Sequence, residues 1–165
     1  MGKSYLRNEI RINTNKNNRK GRRGRRKSKK SFVKSLRFLG VNTAGLRPKL
    51  LTFKKVIKEL MPSVFFLEET KYKDTGRLKL ANYDIFELVR ESRDGGGGLA
   101  LGCLKELQPA WVREGDDQVE ALSVEICLKD LKIRCCVAYG CQENDAKDRK
   151  ESFWTYMDEE VHFAN

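Results

Sequence analysis

From residue 35 onward the chain alternates apolar runs with polar breaks, and the period of the runs changes along it. Ser35–Asn42 reads S-L-R-F-L-G-V-N, with Leu36, Phe38 and Val41 carrying the apolar signal and Leu39 adding to it. This predicts a strand that ends at Asn42. Gly45 then permits a tight turn, and Pro48 suits the first turn of a helix. From Lys49 to Met61, Leu50, Phe53, Ile57 and Leu60 recur at helical spacing, with Lys54, Lys55, Lys58 and Glu59 on the wetter side. Pro62 stops the helix, and Val64-Phe65-Phe66-Leu67 reads as a short buried strand running into Glu68 and Glu69. In a strand–helix–strand unit of this kind Asn42 and Glu69 emerge together at C-terminal strand ends, where polar ligand sites of α/β sheets concentrate.

Further strands are predicted at Tyr83–Val89, with Asp84 and Glu87 breaking the pattern, and at Leu99–Leu104, entered through four glycines at 95–98. Without a following Lys and Ser/Thr these glycines make a poor phosphate loop; they read as a flexible entry into a strand packed closely on a neighbour. Ala121–Leu128 and Ile133–Tyr139 form a predicted hairpin through residues 129–132. Asp145–His162 is a predicted helix whose stripe of Phe153, Tyr156 and Met157 is core.

The paired carboxylates carry the first chemical signal. Side chains alternate along a strand, so Glu68 and Glu69 are expected on opposite faces, one of them on the core side, where an unpaired charge is costly. A hard cation such as Mg²⁺ beside it would remove that cost. Placement of both in a solvated turn is the competing reading.

Charge divides the chain. Residues 1–37 hold 15 Lys/Arg against Glu9 alone, a net +14; the remaining 19 bases and 22 acids sum to −3, which accounts for the overall +11. Residues 13–31 contain no aliphatic or aromatic side chain that could offset the entropy of ordering. The expected organisation is a disordered basic arm over 1–34 and a partial globular domain over 35–165. Arg22, Arg23, Arg25, Arg26, Lys27, Lys29 and Lys30 suit a phosphate backbone or an import receptor, and the lack of aromatics makes any nucleic-acid binding nonspecific.

Five cysteines without CxxC spacing and a single histidine, His162, argue against a zinc site and for reduced, mostly buried thiols. No apolar run approaches the roughly 20 residues that span a bilayer, and no signal-peptide core opens the chain. An intracellular and, given the basic cluster, nuclear location is expected, with no membrane partner.

Three motifs occur in order: Asn42 in G-V-N-T-A-G-L, Glu69 in F-L-E-E-T-K, and Tyr139 in C-V-A-Y-G-C-Q-E-N, with G-G-G-L-A-L between the last two. From about Leu36 to Val161 the chain thereby resembles the endonuclease/exonuclease/phosphatase superfamily, and within it the endonuclease domains of non-LTR retrotransposons and the abasic-site endonucleases. The resemblance implies the fold class α/β, here the N-terminal part of a four-layered α/β sandwich with mixed β-sheets. It also implies phosphodiester hydrolysis dependent on Mg²⁺, with Mn²⁺ as the alternative. Glu69 matches the metal-binding glutamate, Asn42 the asparagine beside metal and phosphate, and Tyr139 the tyrosine on the scissile phosphate; Lys71 lies in the matching E-T-K. Glu68 replaces the usual glutamine and Cys141 a common proline. The family's later G-D-x-N and S-D-H segments have no counterpart: Gly115-Asp116-Asp117-Gln118 comes too early, and no Ser-Asp precedes His162.

The expected function is therefore the first half of a retroelement-type endonuclease acting on DNA. It binds its metal weakly and is inactive alone, with a separate chain or downstream segment completing the domain. A noncatalytic nucleic-acid-binding protein acting through the arm and a remnant of a decayed element are the alternatives. A half-domain is also expected to leave several of Phe38, Phe66, Leu101, Val124 and Val137 uncovered.

Overall fold

In a computed structural model the described residues are 5–11, 35–90, 97–128 and 131–162. The first sheet grows from the predicted strand–helix–strand unit. Strand β1 (Tyr5–Arg11) pairs antiparallel with β2 (Ser35–Asn42), from Tyr5 opposite Val41 to Arg11 opposite Ser35. Helix α1 (Leu50–Leu60), entered through a 3₁₀ turn at Arg47–Lys49 and ended at Met61 in the left-handed region, returns the chain to β3 (Val64–Glu68). Strands β2 and β3 are parallel, with Phe38 opposite Val64 and Asn42 opposite Glu68. Strand β4 (Tyr83–Leu88) lies at the far edge and pairs antiparallel with β5 (Leu99–Leu104), which pairs antiparallel with β3. The order is β1-β2-β3-β5-β4, a mixed sheet.

The second sheet is the antiparallel meander β6 (Ala110–Glu114), β7 (Ala121–Leu128) and β8 (Leu131–Ala138), followed by α2 (Lys147–His162). Strands β7 and β8 pack over β3, β4 and β5. Leu36, Val64, Leu99, Leu101, Cys103, Leu122, Val124, Ile126 and Val137 form the core between the sheets. On the outer side of the first sheet, Phe53 and Ile57 of α1 cover Leu39, Phe65, Leu67 and Ala100. Phe65 lies edge-on to Phe53 at 5.4 Å, directly over Gly102, where a Cβ would come within 2.1 Å of the ring. The close packing expected of this strand is thus real, at Gly102. On the outer side of the second sheet, Tyr156, Phe153 and Met157 of α2 pack on Ala121, Cys136 and Ala138, as the helical stripe predicted. Helix, sheet, sheet and helix give the four-layered α/β architecture.

The structure departs from the sequence reading at several points. Within the stretch expected as the arm, residues 5–11 form a strand, and without β1 the edge of β2 would present unpaired backbone N–H and C=O groups. The seven basic residues from Arg22 to Lys30 lie outside the described residues. Strand β6 and the 3₁₀ turn Lys105–Leu107 were not legible, being short. Leu101, Val124 and Val137 are buried because β6–β8 already supply a second sheet; Phe38 and Phe66, stacked 6.2 Å apart, are half-buried. Of the five thiols, all free, only Cys103 and Cys135 are buried, while Cys127 is exposed.

Candidate active site

Parallel pairing of β2 with β3 brings Asn42 and the Glu68-Glu69 pair to one edge of the first sheet. Past that edge the chain stays laced on both sides. From the β2–α1 loop, Thr43 donates its amide to the Glu68 carbonyl (2.9 Å) and its hydroxyl to the carbonyls of Glu68 (3.0 Å) and Glu69 (2.8 Å). The amides of Gly45 and Leu46 bond the carbonyls of Glu69 (2.8 Å) and Thr70 (3.0 Å). From the other side, the amides of Thr70 and Lys71 bond the carbonyls of Gly98 (2.9 Å) and Gly97 (3.0 Å). Gly98, at φ +85°, is required here, since a Cβ would lie 2.7 Å from the Thr70 hydroxyl.

These bonds hold Glu69 at φ +52° and Lys71 at φ +54°, a conformation that costs a non-glycine residue about 1–3 kcal/mol and persists where its surroundings over-determine it. Strict strand alternation therefore ends at Glu68, and the left-handed backbone re-aims Glu69. Its Oε1 accepts the Asn42 Nδ2 amide at 2.9 Å and the Tyr139 hydroxyl at 3.3 Å. The Asn42 Oδ1 in turn accepts the Ala44 amide at 3.0 Å, which fixes the side-chain amide's orientation. Tyr139 follows β8 directly, so the constellation joins both sheets. All three residues singled out by the sequence meet here. Lys71 contributes its backbone amide, while its side chain is exposed.

Glu68, the other carboxylate, is half-buried. Burial, and after it the charge of Glu69, raises its pKa above the ordinary value. His162 lies at the end of α2 with Nδ1 2.7 Å from the Asp158 carbonyl, outside the site. Asp116 caps the β6–β7 turn through the amides of Gln118 (2.8 Å) and Val119 (3.0 Å).

Sequence reasoning missed Glu120. Its side chain is 7% exposed; Oε1 accepts the Gly98 amide at 2.5 Å and Oε2 faces Arg90 Nη1 at 3.2 Å. Its carbonyl accepts the Tyr139 amide at 2.8 Å. An acid directly before the apolar run Ala121-Leu122-Ser123-Val124 was the one available hint.

Among the described residues no three or more His, Cys, Asp or Glu side chains gather into a metal cage. The Glu69 carboxylate nonetheless suits Mg²⁺, which takes one or two carboxylates and keeps most of its shell for water and phosphate, whereas Asn42 turns its amide nitrogen to Glu69 and its oxygen to the Ala44 amide. No helix among the described residues is long and apolar enough to cross a membrane.

No family model and no curated protein matches the sequence. Solved structures do. An AP endonuclease from Leishmania major matches with TM-score 0.59 and 16% identity over 77% of this chain and 46% of that one. The Xenopus laevis APE2 catalytic domain matches with TM-score 0.54 and 15% identity over 77% and 52%. The Neisseria 3′ phosphatase NExo, solved with a product DNA hairpin, matches with TM-score 0.57 and 16% identity over 76% and 51%. The chain spans about half the length of these proteins. Identities this low speak to architecture, and the architecture is shared: this chain has the endonuclease/exonuclease/phosphatase fold.

Proposed function

We propose that the chain is part of a metal-dependent phosphodiester hydrolase of retroelement-endonuclease type that acts on DNA. The observation that carries this reading is the convergence on Glu69 Oε1 of Asn42 from the first sheet and Tyr139 from the second. In this reading Glu69 holds Mg²⁺, with Mn²⁺ as a substitute, which when bound offsets charge on the phosphoryl oxygens. Asn42, kept in one orientation by Ala44, and Tyr139 orient the phosphate. The activities of the structural neighbours, an AP endonuclease and a 3′ phosphatase, support hydrolysis of phosphate esters of DNA.

Hydrolysis also needs a positioned water and a base to activate it, typically worth about 10²–10⁴ in rate. The described residues gather no cluster of three or more His, Cys, Asp or Glu, and in this reading a downstream segment or separate chain supplies the base. The test is plasmid nicking in Mg²⁺ by the chain alone and by Glu69→Gln. We expect no nicking from either, and Mg²⁺ binding that weakens at least several-fold in Glu69→Gln. Nicking by the unaltered chain that Glu69→Gln abolishes would show that the site is complete. Mg²⁺ binding indifferent to Glu69 would overturn the assignment.

The +14 charge of residues 1–37 favours a second reading, a noncatalytic nucleic-acid-binding protein directed to the nucleus by Arg22–Lys30. Intact G-D-x-N and S-D-H codons downstream of Asn165 would favour the enzyme, and frameshifts a decayed element.

A further inference from the structure

We propose that Glu120 is a positioning residue that sets the approach of Tyr139 to Glu69, with Arg90 as its counter-charge. This rests on the reading of Asn42, Glu69 and Tyr139 as one site, and not on whether the chain cleaves anything.

The two residues to be aligned belong to different sheets. Packing between the sheets is apolar, and apolar contact is non-directional, so it holds the layers together without fixing their slide at the level of a hydrogen bond. Glu120 supplies directional bonds at the mouth. It stands immediately before β7 in the second sheet, and its side chain reaches into the first. Oε1 takes the Gly98 amide, whose own carbonyl receives the amide of Thr70, the residue after Glu69. The same residue's carbonyl receives the amide of Tyr139. One residue therefore bonds the segment that aims Glu69 with its side chain and the residue that meets Glu69 with its backbone.

The fit is close. A Cβ on Gly97 would lie 2.9 Å and 3.1 Å from the two Glu120 carboxylate oxygens, so the glycine admits the carboxylate. A carboxylate this buried needs partners, and the Gly98 amide and Arg90 provide them. The cross-link depends on side-chain length as much as charge. Gln at 120 keeps an oxygen at the Gly98 amide and gives up the ion pair. Asp keeps the charge but is one methylene too short to reach.

The experiment is a set of double-mutant cycles read by thermal unfolding of the full chain. Tyr139→Phe is placed in the unaltered background and in Glu120→Gln, Glu120→Asp and Glu120→Ala. Tyr156→Phe, which removes a hydroxyl 3.2 Å from Ser123 Oγ on the far side of the second sheet, is the control. Losing the Tyr139 hydroxyl should lower Tm by roughly 2–4 °C in the unaltered and Gln backgrounds. It should cost less than half of that in the Asp and Ala backgrounds, while Tyr156→Phe has the same effect in all four. Should Glu120→Ala fail to fold, the Gln and Asp pair decides. Equal Tyr139→Phe shifts in every background would overturn the proposal. So would a Tyr156→Phe shift that shrinks in parallel, since that marks general loosening. Because no arm uses activity, a negative nicking result leaves this test intact.

Discussion

Glu68 is where the balance of forces around the site can be read with one substitution. Its carboxyl is half-buried and close to Glu69, and both facts disfavour its charge. A carboxyl whose pKa is higher folded than unfolded binds more protons in the native state. Stability then falls as pH rises from the ordinary value of 4.5 through the raised one. Glu68→Gln removes that dependence, so the variant should be the more stable at pH 7, with the difference closing below pH 4.5. Urea melts at the two pH values check this; a Gln variant less stable at pH 7 would mean that Glu68 has a compensating partner. Gln is also the residue the family resemblance has at this place. Asn42 and Glu69 were legible because strand ends and the crossover rule locate them from local pattern, and Tyr139 through the family resemblance of C-V-A-Y-G-C-Q-E-N. The aim of Glu69 was not legible: alternation predicts the wrong face, and the left-handed turn that corrects it comes from bonds to Gly97 and Gly98, far along the chain. Glu120 was hidden for the same reason, its partner being an amide 22 residues away.

Among the elements, α2 is held to the second sheet by an unusually polar contact. Arg113 of β6 places Nε 2.5 Å from Glu160 and Nη1 2.6 Å from Glu159, donates Nη2 to the Tyr156 carbonyl at 3.2 Å, and lies 4.1 Å over the Tyr156 ring. Glu160, 4% exposed, has Arg134 as its second cation at 3.5 Å. Burial opposes the Arg113 charge, and the hydrogen bonds to Glu159 and Glu160 outweigh it and raise the pKa above the ordinary value. Arg113→Ala leaves a buried carboxylate with one distant partner, which should cost about 2–4 kcal/mol. Arg113→Lys should recover little, because an ammonium cannot serve two carboxylates and a ring at once. Chemical denaturation distinguishes the two variants, and a loss below about 0.5 kcal/mol for Arg113→Ala would place the contact with ordinary surface pairs. The clamp also explains why β6 escaped sequence reading. A five-residue edge strand, A-W-V-R-E, with a register shift between Trp111 and Arg113, has too little alternation to announce itself.

For the whole molecule, the decisive feature is where the basic residues attach. Arg11 and Ser35, which flank residues 12–34 in the sequence, are register partners at one end of the first sheet. Asn42 and Glu69 lie at the other, about 23 Å away at roughly 3.3 Å per strand residue. Deleting residues 1–34 would therefore remove β1 and bare the β2 edge along with the charges, and affinity changes in such a variant would mix folding with binding. Replacing Arg22, Arg23, Arg25, Arg26, Lys27, Lys29 and Lys30 by Ser keeps both paired ends and removes seven positive charges. Each phosphate neutralised on duplex DNA contributes about −0.9 to the slope of log K against log salt. If most of these seven side chains meet phosphates, the slope should flatten by about 4–6, and affinity for random duplex at low salt should fall by at least 10²-fold. Binding measured at several salt concentrations for the two proteins decides the matter. An unchanged slope would assign nucleic-acid binding to the body, where residues 38–165 carry −3, and would leave local geometry around Asn42, Glu69 and Tyr139, not bulk charge, to hold the backbone.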